Sequence, residues 1–183
     1  MIISVEKAKQ LVDLEGWTDE RIERKLKAIE QTIRAYTNNN FQARAFRRVA
    51  DIVGDLFICE RSASGGATIP FDVGDTVQVT ESAFNEGLYE ILSADDFSFT
   101  VTGGNFRDES SVLVTKIVYP ADVIDCCVNL LEWEKEHRAK VGIKSETLSR
   151  HSVTYFDLDS NNQIMGYPVS LLGCLKAYRK ARF

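Results

Sequence analysis

The chain has 183 residues, of which 44% are hydrophobic and 27% are charged, a composition typical of a soluble globular protein. No apolar run approaches the roughly 18 to 20 residues that a membrane span needs, and the N-terminus lacks the basic and apolar regions of a secretory signal. The net charge is −5, and residues 61–120 hold nine acids and three bases, which disfavours a protein whose main function is to grip DNA.

Two amphipathic helices are predicted at the start of the chain. Ser4 is a suitable N-cap for the first helix, and Gly16 is predicted to end it. Thr18 is predicted to cap the second helix, which the three asparagines 38–40 end. Apolar residues recur along this second helix at steps of three or four: Ile22, Leu26, Ile29, Ile33 and Tyr36.

Near residue 44 the pattern changes to short runs of β-branched and aromatic residues separated by Gly, Asp and Asn. Six strands are predicted, over residues 46–53, 56–60, 76–80, 88–93, 97–101 and 112–119. Asp95 and Asp96 are predicted to form a tight hairpin turn. Six short strands over about 75 residues are typical of a small barrel or sandwich.

Helical patterning returns after Pro120, a residue favoured in a first helical turn. The apolar face of this helix is predicted to contain Val123, Ile124, Cys127, Val128, Leu130 and Leu131. Residues 132–140 are nearly all charged, so the end of the helix is expected to run into solvent. Residues 143–157 lie between two helical patterns and resemble neither of them.

Pro168 is predicted to open a last helix. Its apolar face would contain Leu171, Leu172, Leu175 and Tyr178. Its final turns would carry four bases and no acid: Lys176, Arg179, Lys180 and Arg182. Cations at a helix C-terminus stabilise it by about 0.3–1 kcal/mol, which explains part of this charge. A nucleic-acid arm and a docking peptide are the other interpretations.

The order of elements predicts an α+β protein with two domains. Residues 1–43 and 119–183 would form a small helical bundle, and residues 44–118 an inserted small antiparallel β-barrel or sandwich. The inserted module is expected to have its own core, with Val77, Val79, Tyr89, Ile91, Phe97, Phe99 and Val112 as members.

A hydrolase site would have to be built from the polar residues Ser145, Ser149, His151, Ser152 and Asp157. The chain has no G-x-S-x-G elbow between a strand and a helix, and hydroxyls in irregular segments commonly bond local backbone. The sequence therefore predicts no enzyme and no catalytic residue.

No metal or cofactor is expected either. The four cysteines, Cys59, Cys126, Cys127 and Cys174, show no CxxC or Cys/His spacing of a metal site. They are predicted to be buried, reduced thiols, as suits a protein made in the cytoplasm.

The stretch DVGDTVQV, residues 72–79, places a Gly-Asp turn before an alternating strand. Strands of small SH3-like barrels begin in this way, including some barrels that bind nucleic acid. A β-barrel binding module of a cellular protein is therefore an alternative function. The scarcity of Lys and Arg in residues 61–120 disfavours nucleic acid as its ligand.

Several segments together resemble the head–tail connector (adaptor) proteins of long-tailed bacteriophages. They are the two short N-terminal helices, the helix YPADVIDCCVNLLEWEKE and the segment IKSETLSRHSVTY. The matching residues are Pro120, Lys144, Ser145, Glu146, Ser152, Val153, Thr154 and Tyr155. The resemblance covers residues 1–43 and 119–183, and the β module 44–118 departs from compact members of the family.

The resemblance implies a structural virion protein, made in the host cytoplasm and located in the virion neck. Such proteins form a homo-oligomeric ring, usually of twelve copies, beneath the portal protein. They offer a surface to a neck (stopper) or tail-completion protein and let the genomic DNA pass without sequence-specific binding. Portal docking is then expected at Leu172, Leu175, Lys176, Arg179, Lys180, Arg182 and Phe183. Subunit or neck contacts are expected at Lys144, Ser145, Glu146, Arg150, His151, Ser152 and Tyr155.

Overall fold

The structure is a computed structural model that describes residues 1–59, 68–138, 145–148, 151–154 and 162–181, with the backbone alone for 145–148 and 151–154. The chain forms two compact units, Met1–Asn39 with Tyr119–Phe183, and Asn40–Val118. We call them the helical unit and the barrel unit. The predicted α+β class, helices with an inserted small β-barrel, is confirmed.

The described residues of the helical unit contain four helices. They are α1 (Val5–Leu11), α2 (Asp19–Thr37), α3 (Ala121–Glu136) and a C-terminal 3₁₀ helix (Val169–Tyr178). The predicted N-caps Ser4 and Thr18 are confirmed, because their hydroxyl oxygens accept backbone N–H groups at 3.2 and 3.3 Å.

The first helix is shorter than predicted. Val12 already has an extended backbone, so α1 ends at Leu11 and not at Gly16. The extended chain places Val12 and Leu14 on one side, where both are buried, and leaves Asp13 exposed. Gly16 has a φ of +79° and lies in the connection between α1 and α2.

Helix α2 buries its predicted stripe except for Tyr36, which is only half-buried. Thr37, which was not in the predicted stripe, is fully buried. Asn38 follows in the left-handed conformation, with a φ of 48°, and ends the helix as predicted. Helix α3 buries Val123, Cys126, Cys127, Leu130 and Leu131. Helices α2 and α3 pack on each other and on the 3₁₀ helix.

The barrel unit consists of six antiparallel strands that close on themselves in the order β1-β2-β5-β4-β3-β6. The strands are β1 (Gln42–Val53), β2 (Leu56–Cys59), β3 (Thr76–Thr80), β4 (Gly87–Ala94), β5 (Ser98–Val101) and β6 (Glu109–Ile117). All six predicted strands are present, and the hairpin at Asp95 and Asp96 is confirmed. Closure into a barrel leaves no open sheet edge of the kind a sandwich retains.

Strand β1 begins earlier than predicted because it contains a large bulge. Gln42 pairs with Ile117 and Arg47 with Thr115, so residues 43–46 of β1 oppose a single residue of β6. The bulge interrupts the alternation of apolar and polar residues, and alternation is the signal from which a strand is predicted.

Aromatic rings fill the centre of the barrel. The ring of Phe99 stacks on Phe57 at 5.1 Å between centroids, and the edge contact with Phe71 is 5.3 Å. Five predicted core residues are buried: Val77, Val79, Ile91, Phe99 and Val112. Tyr89 and Phe97 are only half-buried, and Phe97 precedes β5 and lines a surface cleft.

The two ends of the barrel unit are adjacent, since the backbone N–H of Val118 donates to the carbonyl oxygen of Phe41 at 3.0 Å. We therefore expect that replacing residues 40–118 by a short Gly/Ser linker preserves the helical unit. Far-UV circular dichroism of the excised variant should retain the helical signal. A collapse of that signal would show that barrel residues belong to the helical core.

The described residues after α3 include two short hairpins. Strand β7 (Ser145–Leu148) pairs with β8 (His151–Thr154), and β9 (Gln163–Ile164) pairs with β10 (Tyr167–Pro168). The turn between β9 and β10 contains Met165 and Gly166, both with positive φ. This conformation matches the twist of a two-residue hairpin turn.

Candidate functional site

The C-terminal segment contributes to the core of the helical unit. Leu172 and Leu175 of the 3₁₀ helix are both 0% exposed, and the hydroxyl of Tyr178 donates to the Asp122 carboxylate at 2.8 Å. The expectation that the two leucines are exposed anchors for a partner is therefore corrected: both side chains are already used by the chain itself.

The predicted final helix also ends sooner than expected. Arg179 has an extended backbone, so the helix stops at Tyr178, and residues 179–181 form a short tail beyond it. The tail is held on the C-terminal end of α2. The Lys180 N–H donates to the Thr37 carbonyl at 2.8 Å, and the Asn38 amide donates to the Ala181 carbonyl at 3.0 Å. These bonds satisfy backbone groups that a continued helix would have paired internally.

Three exposed bases define a surface that we call the basic edge: Lys176, Arg179 and Lys180. Within the described residues none of the three forms an ion pair. The guanidinium of Arg179 lies over the ring of Tyr36, 5.3 Å from its centroid. The negative end of the α2 dipole favours cations at this position. The helix dipole therefore stabilises the three cations where they lie, and their charges remain available to an acidic partner.

The remaining members of the predicted docking set, Arg182 and Phe183, lie outside the described residues. So do Lys144, Arg150 and Tyr155 of the predicted subunit or neck contacts, and Ser149 and Asp157 of the weighed hydrolase set. Ser145, Glu146, His151 and Ser152 are placed by their backbone alone, in β7 and β8.

The sequence suggested that the segment 143–157 is irregular, but parts of it form strands. Residues 145–148 and 151–154 pair in register, with Ser145 opposite Thr154 and Leu148 opposite His151. Its polar residues conceal the strands, because short strands with few apolar residues give a weak alternation signal.

A buried carboxylate at the end of α3 was missed by the sequence analysis. The side chain of Glu134 is 1% exposed. It accepts hydrogen bonds from Lys25 at 2.7 Å, from Arg138 at 2.5 and 3.0 Å, and from the Tyr167 hydroxyl at 2.8 Å. Burial alone would raise the pKa of Glu134, but the hydrogen bonds from these three partners outweigh it and lower the pKa from 4.5 to about 2. The charged end of α3 is therefore anchored to α2 and β10.

A second buried carboxylate lies on α2. Glu30 is 6% exposed and accepts from Arg34 at 2.6 Å and from the Tyr119 hydroxyl at 2.7 Å. Arg34 Nε donates to the same hydroxyl at 2.8 Å. This triad fixes the residue directly before Pro120 and hence the start of α3.

A sequence signal for both carboxylates exists. Glu30 comes four residues after the buried Leu26, and Glu134 comes four residues after the buried Leu130. Each glutamate thus continues an apolar stripe, and each has an arginine four residues further on, in ion-pairing position. A glutamate on an apolar stripe followed by an arginine at this spacing predicts a buried ion pair.

One end of the barrel is held by a dense hydrogen-bond network. The Glu109 carboxylate accepts from the Ser82 hydroxyl at 2.5 Å, from the Ala83 N–H at 2.6 Å and from the Asn85 amide at 3.0 Å. The hydrogen bond from Ser82, followed by that from Ala83, lowers the pKa of Glu109. The loop 81–86 is thereby fixed to strand β6.

The same loop exposes an aromatic side chain. Phe84 is 61% exposed, and the Arg107 guanidinium lies 4.6 Å from its ring centroid. The Asn85 amide donates to the Arg107 carbonyl at 2.9 Å and accepts the Arg107 N–H at 3.0 Å. An exposed Phe–Arg pair on a fixed loop has the chemistry of a protein-binding hot spot, a feature that a run of turn residues does not reveal.

Within the part of the chain that the structure describes, no helix is long and apolar enough to cross a membrane. In those same residues no group of three or more His, Cys, Asp or Glu side chains could hold a metal ion. No protein-family model matches the chain, and no curated protein matches it.

Proposed function

We propose that the chain is a structural virion protein, a head–tail connector that forms a ring beneath the portal and joins the capsid to the neck and tail. The proposal starts from the resemblance of residues 1–43 and 119–183 to that family. The observation that carries it furthest is the basic edge, where Lys176, Arg179 and Lys180 are exposed without an ion pair in the described residues. The protein acts through such binding surfaces and not through catalysis.

The basic edge has the properties of a docking surface for an acidic portal. Its backbone is fixed at the end of α2, because the Lys180 N–H donates to the Thr37 carbonyl and the side-chain amides of Asn38 and Asn39 donate to carbonyls of the C-terminal segment. Little backbone conformational entropy is therefore lost when a partner binds. Clustered cations steer an acidic partner to one face and raise the rate of association. Docking then depends on charge, since the nearby leucines are buried.

The hairpin β7–β8 is proposed as a subunit or neck contact. It pairs two strands of four residues with no third strand among the described residues. An isolated two-stranded hairpin is marginally stable in water. Packing against a neighbouring copy or a neck protein would supply the missing stabilisation, in a ring closed by head-to-tail contacts of this kind.

The barrel unit is proposed to contact protein and not DNA. Residues 40–118 contain twelve acids and six bases. A net negative charge repels phosphates, so DNA passing through a ring would slide past this unit without being gripped.

The direct test is electron microscopy of the purified chain mixed with the portal protein of the same virus. Negative-stain images should show an added ring layer on the portal. Bare portals at high concentration of the chain would contradict the proposal. Formation of a ring layer on the portal also distinguishes a connector from a soluble binding module, which would form no such layer.

Reversing two charges of the basic edge should weaken portal binding by at least about tenfold. The variant is Lys176→Glu/Lys180→Glu, because both side chains are exposed and unpaired in the described residues. Like charges brought together at an interface cost several kcal/mol. Binding is measured by sedimentation with the portal at two salt concentrations.

The matched control is Lys7→Glu/Arg24→Glu, which changes the net charge equally at two exposed positions on α1 and α2. It should bind the portal like the unmodified chain. An equal loss in both double variants would mean that net charge alone, and not the basic edge, controls binding.

The alternative function is that of a β-barrel binding module of a cellular protein. The observation that favours it is the fixed barrel end that presents Phe84 beneath Arg107. Nucleic-acid binding by such a module would be lost steeply as salt rises in a DNA retention assay. Retention at low salt, together with no ring on the portal, would favour this alternative.

A further inference from the structure

Two cysteines of the helical unit approach the same backbone carbonyl oxygen. Cys126 is on α3 and Cys174 is on the 3₁₀ helix. Both thiols are directed at the same carbonyl oxygen, that of Leu171, at 3.4 Å from Cys126 Sγ and 3.9 Å from Cys174 Sγ. The predicted burial of all four cysteines is thus wrong for one of them, because Cys174 is exposed.

The pair differs from the other two cysteines. Cys59 is buried in the core of the barrel unit. Cys127 is 0% exposed, and the nearby charge of Glu30 adds to the burial that disfavours its thiolate. Neither shares a carbonyl acceptor with another cysteine within the described residues. Only the pair of Cys126 and Cys174 combines an accessible thiol with a buried thiol beside it.

We propose that Cys126 and Cys174 form a reversible disulfide that fastens the C-terminal segment to α3, with a small-molecule disulfide such as oxidised glutathione as the oxidant. This bond is a modification of the chain itself and does not depend on the connector function. It would hold the basic edge in place, since Lys176 and the tail follow Cys174 closely.

The reaction proceeds in two exchanges. The Cys174 thiolate attacks one sulfur of oxidised glutathione, forming a mixed disulfide and releasing one glutathione thiolate. The Cys126 thiolate then attacks the Cys174 sulfur, forming the protein disulfide and releasing the second glutathione. The two thiol protons end on the two reduced glutathiones, and the protein loses two electrons to the oxidant.

The order of the two exchanges follows from exposure. Cys174 is the thiol that an oxidant can reach, and Cys126 is 1% exposed. Burial, followed by the hydrogen bond with Cys174, raises the pKa of Cys126. The second exchange is therefore the slow one, and it should accelerate as the pH rises. In a reducing cytoplasm the pair stays reduced, and in an oxidising medium it closes.

The test is to incubate the full chain with oxidised glutathione at about pH 8.5, a value near the pKa of a free thiol, and to map the cystine-containing peptides by mass spectrometry. The expected result is an intrachain link between Cys126 and Cys174, in a protein lighter by two hydrogen atoms. Closing this long loop should raise the Tm by at least about 5 °C, and reduction with dithiothreitol should reverse the rise.

Three variants decide the assignment. Cys126→Ser should stop at glutathione bound to Cys174, and Cys174→Ser should form no link. Cys59→Ser, the matched control in the other unit, should close like the unmodified chain. The proposal is overturned if the unmodified chain retains glutathione on Cys174, links Cys174 to Cys127, or forms cross-links between chains.

Discussion

Glu134→Gln should lower the free energy of unfolding of the helical unit by about 3 kcal/mol. The substitution removes a buried negative charge and leaves Lys25 and Arg138 beside a neutral amide. Each hydrogen bond to a charged group contributes about 1.5–3 kcal/mol, and the Gln amide keeps only one oxygen to accept from the Lys25 and Arg138 donors. Chemical denaturation followed by far-UV circular dichroism measures the loss.

Glu136→Gln is the matched control for this prediction. Glu136 lies on the same helix with a side chain that is 59% exposed. Its replacement should change the free energy of unfolding by less than about 0.5 kcal/mol. Similar losses in both variants would refute the structural role of the buried carboxylate.

The same carboxylate predicts the response to acid. The pKa of Glu134 falls from 4.5 to about 2 on folding, so its contribution to stability is complete above pH 4.5. That contribution should be lost as the pH falls from about 4.5 toward 2. A series of denaturation curves over this range should show the loss in the unmodified chain, and a shallower one in Glu134→Gln.

Leu175→Ala should likewise cost about 3 kcal/mol of stability. Leu175 is 0% exposed in the core of the helical unit. Removing three carbon atoms from such a site costs about 2–5 kcal/mol, through lost transfer energy and the cavity that remains. Thermal and chemical denaturation both measure it. Removing residues 174–183 would delete the Leu175 side chain as well. A loss of portal binding in that variant could then come from unfolding instead of from the loss of the basic edge.

Leu11→Ala is the control of the same residue type, on α1 with 47% of the side chain exposed. It should cost well under half as much. If Leu175→Ala is no more harmful than this control, the core assignment fails. Under conditions where it is folded, Leu175→Ala should still bind the portal, whereas the Lys176→Glu/Lys180→Glu variant should not.

The elements predictable from the sequence are those whose signals are local. Ser4 and Thr18 cap helices because their hydroxyls bond N–H groups three residues away. The strands β3 and β5 alternate cleanly, and each was predicted within one residue. Such features depend on neighbours in the chain, so composition and spacing suffice to place them.

The elements that escaped prediction depend on contacts distant in the chain. The basic tail turns extended because Thr37 at the end of α2 and the following Asn38 hydrogen-bond to it, while Asn39 binds the carbonyl of Tyr178. The apolar face of the last helix was predicted, but spacing cannot say whether a core or a partner covers it. The exposed bases were predicted from composition, and their positions required the tertiary fold.

The hydrogen bond between Phe41 and Val118 has a mechanical consequence. Strands β1 and β6 run antiparallel from that bond, so tension that pulls residues 40 and 118 apart acts on one end of their ladder. The hydrogen bonds of the ladder would then open one after another, and each contributes a net stabilisation of only about 1 kcal/mol. Under load along the chain the barrel would unzip gradually instead of resisting as a block, and the two strands could rejoin in the same register when the load is removed.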